Sequence, residues 1–144
     1  MQRALGLHAY ILRASTPSEI DAAFDAIVDR RAEGLIVSGD PFFTNRRNQL
    51  IALAASHAVP AVNNYHEFVA GGGLMSYGAD LAEGYHQLGI STAKILKGAK
   101  PAELPVQQIV KLELVINLKT AKALRLTIPQ LLLGRADESS NEAT

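Results

Sequence analysis

The residues able to do chemistry in this chain are few and widely spaced. Its four histidines, His8, His57, His66 and His86, stand apart, and none has a partner at the spacing of metal ligands. His66 and Glu67 are adjacent, whereas a zinc-protease helix needs two histidines at i and i+4 with the glutamate between them. There is no G-x-S-x-G elbow and no phosphate-cradling glycine loop, since Gly71-Gly72-Gly73 lacks the required intervals and reads as a flexible turn. Cysteine is absent, which removes disulfides, thiolate zinc sites and cysteine nucleophiles. No nucleophile, base and oxyanion hole assemble, and no metal or cofactor site is indicated. The residues point to binding, not catalysis.

Asp40 closes a short apolar run and admits three readings. As a phosphoacceptor of the receiver type it would need a further acidic pair for magnesium and a lysine after a later strand, but Asn63 and Asn64 follow the next strand. As a ligand-facing carboxylate it could grip an ammonium through a charge-assisted hydrogen bond. As a loop aspartate it would simply bond its own backbone. Five of the eight Phe and Tyr residues (Phe42, Phe43, Tyr65, Phe68 and Tyr77) fall at or near the same expected rim. They suit either an aromatic or apolar ligand with a polar head or a seal over the end of a sheet.

The elements that would position these residues follow from periodicity. Gln2 to Leu7 reads as the end of a helix capped by Gly6, an abrupt beginning, and His8 to Arg13 as a strand. Thr16, Pro17 and Glu19 open a helix as N-cap, N1 and N3. Ile20, Ala23, Phe24, Ile27 and Val28 give it a buried face, and Gly34 stops it. Leu35 to Ser38 has the continuous apolar character of a strand covered on both faces. Thr44 is expected to cap a helix running to about His57, ended by Pro60, with Ala61 to Asn63 the next strand. Leu74 to Tyr77 forms another, with a turn at Gly78-Ala79. A long helix follows, opened by Asp80 and Glu83 in capping-box spacing and closed by Lys97 and Gly98. Its face carries Ala82, Tyr85, Gly89, Ala93 and Leu96, with Leu81, Leu88 and Ile95 beside it. After a 99–105 linker, Lys111 to Asn117 alternates as a strand. Short helices are expected at 118–124 and within 128–136, and 137–144 reads as a frayed polar tail.

Strand and helix alternate, so the expected fold is α/β: a three-layer parallel sheet with helices on both faces. In such sheets ligands sit beyond the carboxyl ends of the strands, here the loops at 38–43, 63–73 and 77–80. The 144 residues are 48% hydrophobic and 19% charged, with no net charge. That composition suits one globular unit and gives no electrostatic footprint for nucleic acid. No run of apolar residues reaches the roughly 18 needed for a membrane span. Residues 1–15 lack the pattern of a signal peptide, so the chain as written would be cytoplasmic.

GGLMSYGADLAEGYHQLGISTAKILKGAKPAELPVQQ and KLELVINLKTAKALRLTIPQLLLGRADE resemble the carboxy-terminal half of the periplasmic substrate-binding proteins of ABC transporters, in the tryptophan/tyrosine-type branch. LIVSGDPFF and AVNNYHEFVAGGG extend the likeness over nearly the whole chain. Arg125 stands where the family usually has glycine. The resemblance implies a type I periplasmic-binding lobe, flavodoxin-like and incomplete. It belongs to a non-catalytic protein about twice this length that closes on a small-molecule solute, an amino acid or small aromatic or apolar compound, and docks on an ABC permease in the periplasm. Residues 1–73 would then belong to the second lobe and 74–103 would cross to the first. Residues 104–136 would return, leaving the 137–144 tail. The ligand-binding residues so implied are Asp40, Pro41, Phe42, Tyr65, Glu67, Tyr77, Gly78 and Asp80. The apolar face of the long helix, meant for an absent lobe, is expected either to repack on its own sheet or to dock on a second copy as a homodimer. The alternative to transport is a truncated remnant that self-associates.

Overall fold

The computed structural model describes residues 6–105 and 112–140. Five strands form one sheet in the order β1-β2-β3-β4-β5: Leu35–Ile36, Ala61–Asn63, Met75–Ala79, Leu112–Asn117 and Glu138–Ser140. The first three run parallel, β4 lies antiparallel to β3, and β5 is parallel to β4. The sheet is therefore mixed. The reversal is local: β3 and β4 are the two sides of one excursion, so the chain leaves along β3 and comes back beside it, with Ala79 opposite Leu112.

The first helix, α1 (Pro17–Asp29), starts as its sequence requires, with the Thr16 hydroxyl accepting from Glu19 N–H and proline in the first turn. It stops short of Gly34 because Arg31 turns into the left-handed region at φ 51°. Its Ile20, Phe24 and Ile27 pack with Leu50 and Ala54 of α3 (Arg47–Ser56), with Val37, Val59 and Ala61 on or beside β1 and β2, and with Phe68. Burying such side chains supplies about 1.5–3 kcal/mol each, and this is the main core. Phe68 belongs to α4 (His66–Ala70), a short helix that the sequence pattern left as loop. Two later short helices, α6 (Leu118–Ala123) and α7 (Gln130–Leu133), follow β4.

Three expectations are corrected. His8 to Arg13 is extended but pairs with no strand, and among the described residues its backbone makes no hydrogen bond. Leu12 and Ala14 alone hold that stretch to the core. The strand at Leu35 is not covered on both faces, since Ile36 is 84% exposed. The tail is not frayed over 138–140: Asp137 accepts Leu114 N–H on its carboxylate and donates its own N–H to the Leu114 carbonyl, both at 2.9 Å, which docks β5 beside β4.

The long helix α5 (Leu81–Leu96) begins and ends where expected. Asp80 accepts from Ala82 and Glu83 N–H at 2.9 and 3.1 Å, while Gly98 takes φ 100° after the Lys97 cap. Only half of the capping box forms, because the Glu83 carboxylate accepts from Gln87 instead. The helix packs substantially on no other described element. Tyr85, Leu88 and Leu96 are 71, 63 and 83% exposed and Ile95 is exposed too; the Leu81 side chain lies outside the description. Repacking of this face on its own sheet therefore does not occur. Beyond it, residues 101–103 make a single 3-10 turn. The expected helix end at residues 2–5 and the strand start at Lys111 lie outside the described residues, while Gly6 does take the left-handed φ of 67° that a cap needs.

Candidate ligand-binding site

Three strand-end loops meet at the carboxyl edge of β1, β2 and β3. After β2, the buried Asn63 turns its Oδ1 back to accept the backbone N–H of Tyr65 at 3.0 Å. That local bond shapes the turn into α4. The Tyr65 hydroxyl then donates to the Gly39 carbonyl at 3.1 Å, tying the loop after β2 to the loop after β1. The third loop is held sterically. A Cβ on Gly78 would overlap the Asn64 carbonyl oxygen and lie 2.9 Å from its carbon, while one on Gly39 would meet the Tyr65 hydroxyl at 3.3 Å and the Asn64 Cγ at 3.4 Å. Asn64 is thus flanked by two glycines whose missing side chains let the three loops close together.

A shallow cavity of about 90 Å³ opens at this junction. Asn64, Tyr65, His66 and Glu67 line it from the β2–α4 connection, Ser76, Gly78 and Ala79 from β3, Asp80 and Ala82 from the start of α5, and Glu113 from β4. The charged lining is carboxylate: Glu67, Asp80 and Glu113, with no lysine or arginine. His66 and Glu113 each have a partner of their own, and Asp80 is engaged as the cap of α5. A wall of this kind favours a cationic or ammonium head over an anionic one. Among the described residues no three His, Asp or Glu side chains are grouped to hold a metal ion.

Of the residues expected at a site, Tyr65, Glu67, Gly78 and Asp80 line the cavity, and Asp40, Pro41, Phe42 and Tyr77 do not. Asp40 is the N-cap of α2 (Pro41–Asn45), accepting Phe42 N–H at 2.8 Å with Pro41 at N1. The helix sequence reasoning began at Thr44 therefore starts earlier and is interrupted at Arg46. Of the five rim aromatics, Phe68 is core, and Phe42 and Phe43 pack edge-to-face at 5.3 Å against that core. Tyr77 is 54% exposed on β3. Asn64 and His66 fall within the 63–73 loop expected at the ligand edge, whereas Ser76 and Glu113 lie outside the expected loops. Ser76 and Glu113 are placed by the β3–β4 register, Ser76 facing Val115 and Glu113 facing Gly78, and that pairing is invisible from spacing along the chain.

A sheet whose strand ends gather a small open pocket, interrupted by a helix that leaves and returns through paired strands, defines a periplasmic-binding-protein-like domain. The sequence profile of ABC transporter substrate binding proteins matches residues 2–140. The chain belongs to that family, whose members bind and do not catalyse. A search among curated proteins gives no match. Among solved structures, the ABC domain in complex with L-Trp from Streptococcus pneumoniae is similar at 26% identity and a TM-score of 0.83, covering 95% of this chain and 46% of that one. A conserved domain protein from Vibrio cholerae is similar at 27% identity and 0.77, covering 88% and 43%. The ligand-free, open form of a substrate binding protein with adhesive properties from Clostridium difficile shares the fold at 19% identity and 0.62, covering 90% and 43%. The chain spans less than half the length of each.

Proposed function

We propose that this chain supplies one wall of the solute cleft of an ABC importer's substrate-binding protein, and that the solute is an amino acid or small aromatic or apolar compound with an ammonium head. The observation that carries this reading is the cavity at the strand ends, lined by Glu67, Asp80 and Glu113 with no lysine or arginine. The similarity to a domain solved with L-Trp supports the amino-acid class. Tyr65 at the cavity offers aromatic surface. In this reading the permease is the protein partner and the periplasm is the compartment. One wall gives weak binding, because the translational cost of capture is undiminished while the contacts are halved. Titrating L-tryptophan, L-tyrosine and L-leucine into the isotopically labelled chain, followed by NMR shifts, tests it. Saturable millimolar binding with shifts centred on residues 64–67 and 76–80 is expected, and no saturable shift with any of the three overturns it.

One observation favours a second reading, self-association without transport. The apolar face of α5 leaves Tyr85, Leu88 and Leu96 open to solvent, and such a stripe on a helix is ordinarily turned toward a packing partner. A second copy would cover it in a symmetric dimer. Sedimentation velocity across micromolar concentrations decides: a dimer that Leu88→Glu dissociates supports this reading, and a concentration-independent monomer removes it.

A further inference from the structure

Asn64 is the one carboxamide among the described residues that line the cavity. Its backbone lies so close to Gly78, and its side-chain Cβ and Cγ so close to Gly39, that neither glycine has free room for a Cβ. Its side-chain amide nevertheless makes no hydrogen bond among the described residues, while it lines the cavity and remains exposed. Most of the other polar side chains there are committed: the Tyr65 hydroxyl donates to Gly39, Asp80 caps α5, and His66 and Glu113 have partners. Glu67 is a carboxylate, and Ser76 is buried at 2% exposure. A carboxamide offers an acceptor and two donors in one plane. It can accept from an ammonium and donate to a carboxylate, whereas Glu67, Asp80 and Glu113 can only accept when ionised.

We propose that Asn64 is the specificity-determining residue of this wall, the group that distinguishes an α-amino acid from the corresponding amine. This rests on the solute-binding reading above. The carboxylates draw an ammonium whichever molecule carries it. The Asn64 Nδ2 atom donates to the α-carboxylate, which would otherwise face three acidic neighbours. The close approach of the loops around Asn64, which leaves no room for a Cβ on Gly78, sets the point in the wall from which its amide is presented.

The experiment compares L-tryptophan with tryptamine, which lacks the carboxylate, by NMR titration of the labelled chain, its Asn64→Ala variant and its Asn64→Asp variant. The unmodified chain is expected to prefer L-tryptophan. Asn64→Ala weakens L-tryptophan about tenfold, the share of a hydrogen bond to a charged group, and leaves tryptamine within about threefold. Asn64→Asp, which keeps the shape and replaces the donor by a charge, weakens L-tryptophan further and strengthens tryptamine. The melting temperatures of all three stay together, because the amide bonds to nothing else in the fold. Equal loss for both ligands, or no loss for either, overturns the assignment while leaving the solute-binding reading intact. Failure of the unmodified chain to bind any of the amino acids overturns both.

Discussion

Gly78→Ala is the perturbation whose magnitude the structure fixes best. The added methyl would overlap the Asn64 carbonyl oxygen and approach its carbon to 2.9 Å and its Cα to 3.2 Å. These are backbone atoms and cannot swing away as a side-chain end would. Asn64 is meanwhile held in its turn by the bond between the Asn63 side chain and Tyr65 N–H. Relief must come from parting β2 and β3, whose pairing ends at Asn63 and Ser76. Overpacking costs about 1–3 kcal/mol, and a rigid obstacle places this case at the upper end. At roughly 4 °C per kcal/mol for a chain of this size, the melting temperature falls by about 10 °C. Gly89→Ala serves as the control. It lies in the middle of α5 with nothing within 4 Å of the added methyl, so helix propensity alone applies and stability rises by up to about 1 kcal/mol. Thermal unfolding followed by circular dichroism reads both. A Gly78→Ala variant that melts at or above the unmodified chain would refute the packing of the three loops around Asn64.

Asp80→Ala removes an acceptor shared by two backbone N–H groups at the start of α5. It is expected to lower stability by about 1 kcal/mol and to reduce far-ultraviolet helicity, because α5 packs substantially on no other described element that could compensate. Arg125 adopts φ 58° just past α6, where a side chain costs about 1–2 kcal/mol relative to glycine. Arg125→Gly should therefore raise the midpoint of urea unfolding, and a lowered midpoint would count against the strain. Asn117→Ala, which takes the cap from Thr120 N–H at 3.0 Å in a buried place, is expected to cost about 1–2 kcal/mol in the same assay.

Much of this was legible in the chain itself, and the misses have physical causes. The starts of α1 and α5 were written in Thr16-Pro17-Ser18-Glu19 and Asp80-Leu81-Ala82-Glu83, since capping is a short-range transaction between neighbours. The family's usual glycine at position 125 matches the positive φ found there, although the substituted arginine hides it. Asp40-Pro41 is also a local signal, an N-cap followed by proline at N1. It was overlooked because Thr44 offered a competing start six residues before the apolar run that begins at Leu50. The failures came where pairing decides. His8 to Arg13 has the composition of a strand and lies extended, but composition cannot supply a neighbour. Val115 and Ile116 pair with Ser76 and Met75 in reverse sense, and nothing in an alternating run announces its direction. At the cavity, Glu67 and Asp80 could be found from loop position. Glu113 could not, because it arrives from a strand more than thirty residues further on.

The hairpin-like register of β3 and β4 has one more consequence. Ala79 and Leu112 face each other across the sheet, so everything the chain does between them is topologically a detour that begins and ends at the same doorstep. A two-residue asparagine-glycine turn could bridge that gap directly. The shortened molecule would retain its five-stranded frame and shed the exposed Tyr85, Leu88 and Leu96 of α5.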